Sequence, residues 1–201
     1  ANGNNYQVES YLLSRGIALS VIHECFRQGI LYESIPYHNA VFVGRDASGI
    51  PRHAALRGTE PGSTYKNDAK GSDKRYSFSM PGHDDDLLVF ESTIDLLSFI
   101  TMTDESEAAS IYRSHHYLSL AGLAPAALRQ YVCDHPNIQK IMLCFDADEP
   151  GCLAAEDIMI ELHDRYSISY RPPAQGKDYN EMLLARQREP IHMEGRDFND
   201  R

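Results

Sequence analysis

Apolar runs of strand length alternate with helical patterns along the second half of the chain. Four runs predict strands: "LLVFES" (87–92), "HHYLSLAG" (115–122), "IQKIMLCFDAD" (138–148) and "SISYRPP" (167–173). Apolar residues at helical spacing fill the segments between them, as in "TIDLLSFITMTDE" and "GCLAAEDIMIELHDR". Strands that alternate with helices of this length predict a parallel sheet flanked by helices on both faces. The sequence therefore predicts an α/β fold.

The first half of the chain has a different pattern. "VESYLLSRGIALSVIHECFRQG" (8–29) predicts two helices separated at Gly16. "NAVFVGRDASG" and "PRHAALRGT" predict two strands of a hairpin that turns at Asp46–Gly49. The polar stretch 60–76 predicts a surface loop, and "YSFSM" (76–80) predicts a third strand. These elements make a small α+β unit.

The turn-rich segment "PGHDDD" (81–86) marks the change between the two patterns. We expect an N-terminal helical and basic α+β subdomain over residues 1–82. The α/β domain then covers residues 83–190, and residues 191–201 form a C-terminal tail.

Charge is distributed unevenly between these parts. The net charge is −10, but residues 45–75 carry seven Lys or Arg against four acids. That segment is +3, so the remaining chain is −13. A basic part beside an acidic part suits a protein that holds phosphates with one and cations with the other. A solvated loop that happens to carry lysines is the alternative explanation.

Composition and sequence pattern indicate the cellular location that we expect for the protein. No run reaches the roughly 18 apolar residues of a membrane span, and the first ten residues lack the pattern of a secretory signal. The four cysteines form no C-x-x-C pair, so they predict neither a zinc ribbon nor a disulfide framework. We therefore expect a cytoplasmic protein without a membrane partner.

Acidic residues follow two of the predicted strands directly. Glu91 comes after "LLVF", and Asp146 and Asp148 come after "IMLCF". Carboxyl ends of parallel strands meet at one edge of a sheet, where ligands bind in open α/β folds. A hard divalent cation such as Mg²⁺, with Mn²⁺ as an alternative, relieves the repulsion among three carboxylates. The competing interpretation is that Asp148 or Glu149 caps the next helix and Glu91 is solvated.

Three short motifs at these positions resemble the signatures of a TOPRIM domain: "FESTID" (90–95), "DADEPG" (146–151) and "GKDYNEML" (176–183). The likeness is strongest to the catalytic core of bacterial DNA primases, and in particular to the primase-like TOPRIM proteins of mobile elements and phages. It extends more weakly upstream, to the helical segment and to the start of the basic unit.

The resemblance implies roles for individual residues. Glu91, Asp146 and Asp148 would bind Mg²⁺ and carry catalysis, with Asp178 as a further metal ligand. Asp95, Asn180 and Gly151 would support them. Single-stranded DNA and nucleoside triphosphates would be the partners. Charge and position, apart from the resemblance, make Arg57, Lys66, Lys74 and Lys177 candidates for phosphate binding, together with Lys70 and Arg75.

The chain departs from the primase pattern at two positions. Ser92 stands where that pattern usually has Gly, and Asn180 replaces the second Asp of the third signature. A neutral amide removes a charge from a second metal site, which makes one bound Mg²⁺ the safer expectation. The primase zinc ribbon is also missing, so we expect a fragment of a longer protein that works with replication or mobilisation proteins.

For two further groups of polar residues we predict structural roles and no catalytic or metal-binding role. His115 and His116 open a strand, where neighbouring side chains face opposite ways and cannot share a metal. The acidic triplet 84–86 predicts a solvated turn.

The sequence alone is compatible with several classes of function. Primase-like nucleotidyl transfer to a primer 3′-hydroxyl is the leading hypothesis. A TOPRIM nuclease would use nearly the same metal site, and a non-catalytic DNA- or protein-binding module would need no clustered acids. A response-regulator-like or nucleotide-binding α/β domain shares the acidic strand ends but leaves the basic first half unexplained.

Overall fold

The computed structural model describes residues 3–104 and 114–188, so the predicted tail lies outside the described residues. The helices are α1 (Tyr6–Ser14), α2 (Leu19–Arg27), α3 (Thr93–Asp104), α4 (Ala126–Asp134), α5 (Glu149–Leu162) and α6 (Tyr179–Arg188). The strands are β1 (Leu31–Glu33), β2 (Ala40–Arg45), β3 (Pro51–Arg57), β4 (Lys66–Asp68), β5 (Ser79–Met80), β6 (Asp86–Phe90), β7 (His116–Ser119), β8 (Lys140–Cys144) and β9 (Ser167–Tyr170). Of the helices described, none has the length and apolar character that crossing a membrane requires.

The first sheet is antiparallel, with strand order β1-β2-β3-β4. The predicted hairpin is present as β2 and β3, and Asp46 Oδ1 closes its turn by accepting bonds from the Ser48 and Ile50 N–H groups. The surface-loop prediction for residues 60–76 is wrong in part, because β4 lies within that segment and pairs with β3. An edge strand pairs on one side only and can stay polar, so β4 carries no apolar alternation.

The second sheet has strand order β5-β7-β6-β8-β9. β6 is parallel to β7 and β8, and β8 is parallel to β9. This confirms the predicted parallel sheet flanked by helices. The two-residue strand β5, predicted with the first unit, instead pairs antiparallel with β7 at the sheet edge.

Strand β6 supplies apolar side chains to both faces of this sheet, because successive residues of a strand alternate in direction. Leu88 and Phe90 enter one core, and Leu87 and Val89 enter the other. The first core also includes residues of α1, α2, α3 and α6: Leu12, Ile22, Leu97 and Leu183. The second includes residues of α4 and α5: Leu128 and Ile158. The N-terminal helices are thus fixed against the same sheet face as α3 and α6.

Aromatic rings fill the first core beneath the acidic edge of the sheet. Phe90, at the end of β6, lies 5.4 Å from Phe99 and 5.5 Å from Tyr179, measured between ring centroids. Buried aromatic clusters of this kind are rigid and dominate core energetics. The residue that follows Phe90 is therefore anchored where β6 ends.

We expect His53 on β3 to make the fold sensitive to acid. Its side chain is fully buried, and Nε2 lies 3.0 Å from Asp68 Oδ1. Burial lowers the pKa of His53, and Asp68 opposes this only in part. The unfolded chain therefore takes up the proton first, and stability falls as the pH drops below about 6.5.

His53→Gln keeps a donor for Asp68 but does not titrate, so it should reduce the loss of unfolding free energy between about pH 7 and about pH 5. Urea denaturation at the two pH values measures this loss, and His163→Gln at the exposed end of α5 is the control. An unchanged pH slope in His53→Gln would contradict the prediction.

Candidate metal and phosphate site

The acidic edge of the second sheet brings Glu91 and Asp146 into direct contact. Phe90 of β6 and Cys144 of β8 are in register, so the chain leaves both strands at the same level. Glu91 Oε1 accepts a hydrogen bond of 2.9 Å from the Asp146 backbone N–H. Adjacency of these residues follows from the parallel pairing of their strands.

Asp148 begins α5 as its N-cap. Its Oδ1 accepts a bond of 2.9 Å from the Gly151 N–H, as expected for a helix cap. Its Oδ2 lies 3.2 Å from Lys177 Nζ, which is also 3.7 Å from Asp146 Oδ2. Asp148 is thus both a cap and part of the acidic cluster, and the two interpretations of the sequence are compatible.

Burial and crowding change the protonation of these acids. Burial raises the pKa of Glu91 to about 7, and repulsion from Asp146, Asp148 and Asp95 adds to the rise. Burial likewise raises the pKa of Asp146. The pKa of Asp148 is lowered instead, chiefly by the Gly151 N–H. The carboxylates of this site therefore repel one another in partly buried surroundings. A bound cation would reduce this repulsion.

Asp95 lies behind this cluster on the first turn of α3. Its side chain accepts a hydrogen bond from Ser92 Oγ through Oδ2, and the Asn180 N–H donates to Oδ1 at 3.3 Å. Burial raises the pKa of Asp95 to about 6. Ser92, one of the two departures from the primase pattern, thus serves as a hydroxyl donor to this buried carboxyl.

Asn180, the other departure, points away from the acidic cluster. It is 1% exposed, and its Nδ2 donates to the Arg15 carbonyl at 2.7 Å and to Ser98 Oγ at 2.9 Å. Asp178, two residues earlier, caps the start of α6 by accepting a 2.7 Å bond from the Glu181 N–H. Of these two, only Asp178 lines the cavity described next.

A cavity of about 420 Å³ separates the acidic edge from the first sheet. Its acidic wall is formed by Glu91, Asp95, Asp146 and Asp178. The basic residues that line it are Arg15, Arg57, Lys66 and Lys74 from the N-terminal part of the chain, and Lys177, which lies beside Asp146. Lys70 and Arg75 line other cavities. The cavity thus brings together four of the predicted phosphate-binding residues and four of the predicted acids, whereas Asp148 is not among its lining residues.

Arg15 is the lining residue that the sequence interpretation missed. It follows α1 directly, in a segment without a cluster of basic residues, so charge alone did not single it out. An arginine just before a helix-ending glycine was the available signal.

Another group of ligand-type side chains lies where β6 and β7 begin. In the part of the chain that the structure describes, three such side chains have ligand atoms within 4.8 Å of one another only at Asp84, Asp86 and His115. His115 Nδ1 is 2.5 Å from Asp84 Oδ2, and Ser114 Oγ also donates to that oxygen. The triplet 84–86 is therefore bonded and not simply solvated. Glu91, Asp146 and Asp148 are not this close together, since Lys177 lies between the two aspartates.

Comparison with known proteins gives two matches along the chain and none with a curated protein. Residues 10–84 match a family described as a protein of unknown function, DUF3991. Residues 88–183 match a family described as Toprim-like. Residues 88–183, here termed the Toprim-like domain after this match, contain the acidic edge of the second sheet.

Several solved structures of primase cores are similar to the whole arrangement. The primase fragment of the bacteriophage T7 primase-helicase protein has a TM-score of 0.62 and 19% identity, over 88% of this chain and 70% of that one. The Escherichia coli primase catalytic core has a TM-score of 0.55 and 14% identity, over 90% and 69%. A DnaG primase catalytic domain bound to ssDNA has a TM-score of 0.55 and 13% identity, over 89% and 67%. The N-terminal segment and the Toprim-like domain together thus share the primase-core fold.

Proposed function

We propose that this protein is a Mg²⁺-dependent, primase-like nucleotidyltransferase that acts on single-stranded DNA with nucleoside triphosphates. One observation carries the proposal: acidic residues at the edge of the second sheet and basic residues of the N-terminal part of the chain line the same cavity of about 420 Å³. Basic residues bind anionic phosphates, and a cation held by the acidic residues would bind the same phosphates. The fold shared with primase cores supports this choice.

The donor set suits Mg²⁺ or Mn²⁺. Glu91, Asp146 and Asp148 offer carboxylate oxygens, which hard divalent cations prefer, and Asp178 is a further candidate. Burial and the neighbouring acids raise the pKa of Glu91 to about 7, and a bound cation would oppose this rise. Lys177 now pairs with Asp146 and Asp148, so a cationic group already lies beside these two carboxylates and balances one of their two charges. When bound, the metal supplies charge neutralisation for a transferring phosphoryl group.

The chain's own residues would bind and orient the substrate. Arg57 on β3, Lys66 on β4 and Lys74, which now pairs with Asp68 at 3.1 Å, line the cavity and would hold the phosphates of a template or a triphosphate. Lys177 would exchange its carboxylate partners for a phosphate. Glu91 Oε1 accepts the Asp146 N–H, and Oε2 would accept a proton from an attacking hydroxyl where the metal does not bind that oxygen.

The proposal includes a division of labour between the two parts of the chain. Residues 1–82 supply most of the phosphate-binding side chains, and residues 83–190 supply the metal-binding acids. It also implies a cytoplasmic location and cooperation with other replication or mobilisation proteins.

An assay of the 201-residue chain with labelled single-stranded DNA and Mg²⁺ or Mn²⁺ tests the proposal. We expect extension that depends on nucleoside triphosphates and falls about 100-fold or more in Asp146→Asn. Asp164→Asn, at a highly exposed position, is the matched control and should extend normally. Cleavage without triphosphates would favour the nuclease. If the chain shows neither extension nor cleavage, and Asp146→Asn binds Mg²⁺ as tightly as the parent chain does, only the binding-module hypothesis would remain.

A further inference from the structure

Asn180 of α6 contacts the N-terminal segment where the primase pattern would have an acid. Its Nδ2 donates to the main-chain carbonyl of Arg15, at the end of α1. Ser98 Oγ of α3 is the second partner of the same amide nitrogen. The side chain is thus used to join α6 and α3 to the turn that carries Arg15.

The turn is held at several points from the same side. Gln187 of α6 donates to the Gly16 carbonyl at 2.8 Å. The Ala18 N–H donates to Thr101 Oγ1 of α3 at 3.1 Å. Gly16 has a φ of +79°, and a Cβ there would lie 2.6 Å from Gln187 Oε1. Amide side chains of α6 thus hold two successive carbonyls of a turn that α3 also holds, so the position of Arg15 depends on the Toprim-like domain.

Arg15 lines the cavity that Asp95 and Asp178 also line. Its Nε is buried, and within residues 3–104 and 114–188 no hydrogen-bond partner for this atom is found. A buried donor without a partner costs free energy, and no bond at Nε opposes a movement of the guanidinium group toward an acceptor in the cavity that Arg15 lines. A guanidinium group suits a phosphate oxygen in that role.

We propose that Asn180 is a positioning residue that holds Arg15 at the cavity wall, so that Arg15 binds a phosphate group of the substrate. The inference rests on the proposed function in one respect, namely that the cavity receives phosphates. It gives Asn180 a role other than metal binding, because its amide nitrogen faces a carbonyl and a hydroxyl. An aspartate there would set an acceptor against the Arg15 carbonyl.

A double-mutant cycle on the 201-residue chain tests this inference, with ATP and Mg²⁺ as the probe and calorimetry as the measurement. We expect Arg15→Ala to weaken ATP binding about tenfold, as for the loss of a charge-assisted hydrogen bond. Asn180→Leu, which removes the amide at similar volume, should weaken it about as much. The double variant should bind no more weakly than Arg15→Ala alone. Independent effects that multiply in the double variant would overturn the inference.

Controls separate positioning from general destabilisation. Leu162→Ala, in the core on the other sheet face, should lower the melting temperature and leave ATP affinity unchanged. If Asn180→Leu does not fold, Gln187→Ala on the exposed side of α6 replaces it and should weaken ATP binding about threefold. Full affinity in the Asn180 variant, or in Gln187→Ala where that variant is used, would overturn the inference. Tighter Mg²⁺ binding in Asn180→Asp would also overturn the inference, because it would show that a side chain at position 180 can contact the metal.

The results also distinguish this inference from the proposed function. ATP binding that needs Arg15 but not Asn180 would remove the inference alone. ATP binding that fails in the parent chain, or that ignores Arg15, would remove both. A cycle that behaves as expected without triphosphate-dependent extension would uphold the inference and count against nucleotidyl transfer.

Discussion

Glu91→Gln should abolish metal-dependent activity and at the same time stabilise the fold. Loss of one carboxylate ligand at a transferring phosphoryl group is expected to lower the rate about 100-fold or more. The amide retains the acceptor that Glu91 Oε1 offers to the Asp146 N–H, so the local structure should persist. It also removes a charge that burial and three neighbouring acids disfavour. Activity and stability are therefore expected to move in opposite directions.

The pH dependence of this stabilisation has a definite sign. The pKa of Glu91 rises from its ordinary value of 4.5 to about 7 in the fold. The penalty for ionising Glu91 is thus absent below pH 4.5, grows as the pH rises, and is complete above about 7. The upper limit is about 3 kcal/mol. The group is half-buried, so solvent screening should reduce the gain to about 1 kcal/mol, or about 2–4 °C in melting temperature.

Thermal denaturation of both proteins in metal-free buffer, at about pH 5 and about pH 8, measures the effect. Added Mg²⁺ should raise the melting temperature of the parent chain and have little effect on Glu91→Gln. Asp164→Asn serves again as the exposed control. A variant less stable than the parent at the higher pH would show that the Glu91 carboxylate is favourably paired.

The sequence predicted the larger elements of the fold because they bury apolar residues with a clear period. The run "LLVF" supplies both cores of the second sheet, so its period follows from packing. The short elements were harder to predict. β1, β4 and β5 have two or three residues each, and β4 is a polar edge strand. Their pairing is decided by contacts far away in the chain, which a local pattern does not contain.

The candidate site was predictable to the extent that strand ends fix it. Parallel pairing of β6 and β8 made the contact of Glu91 with Asp146 foreseeable. The orientation of Asn180 was not, since it depends on a carbonyl 165 positions away in the chain. Arg15 escaped notice for the same reason, because its place on the cavity wall results from packing of α1 against α3 and α6.

Gly151→Ala should destabilise the protein and separate Glu91 from Asp146. Alanine is normally favoured over glycine in a helix by about 1 kcal/mol, so propensity alone predicts a gain. At this position a Cβ would lie 2.4 Å from the Asp146 carbonyl oxygen and 2.9 Å from Glu91 Oε1. The first of these atoms belongs to the backbone and can move only with the loop between β8 and α5. We therefore expect a net loss of about 2–3 kcal/mol, as for overpacking in a core.

The displacement acts on the two acids of the proposed metal site, so Mg²⁺ affinity should fall together with stability. Calorimetric titration with Mg²⁺ and urea denaturation measure the two effects separately. Leu153→Ala, at an exposed position two residues later in α5, is the control and should bind Mg²⁺ normally. A stable Gly151→Ala protein with normal Mg²⁺ affinity would mean that the loop yields easily. The close approach of α5 to the acidic edge would then contribute nothing to metal binding.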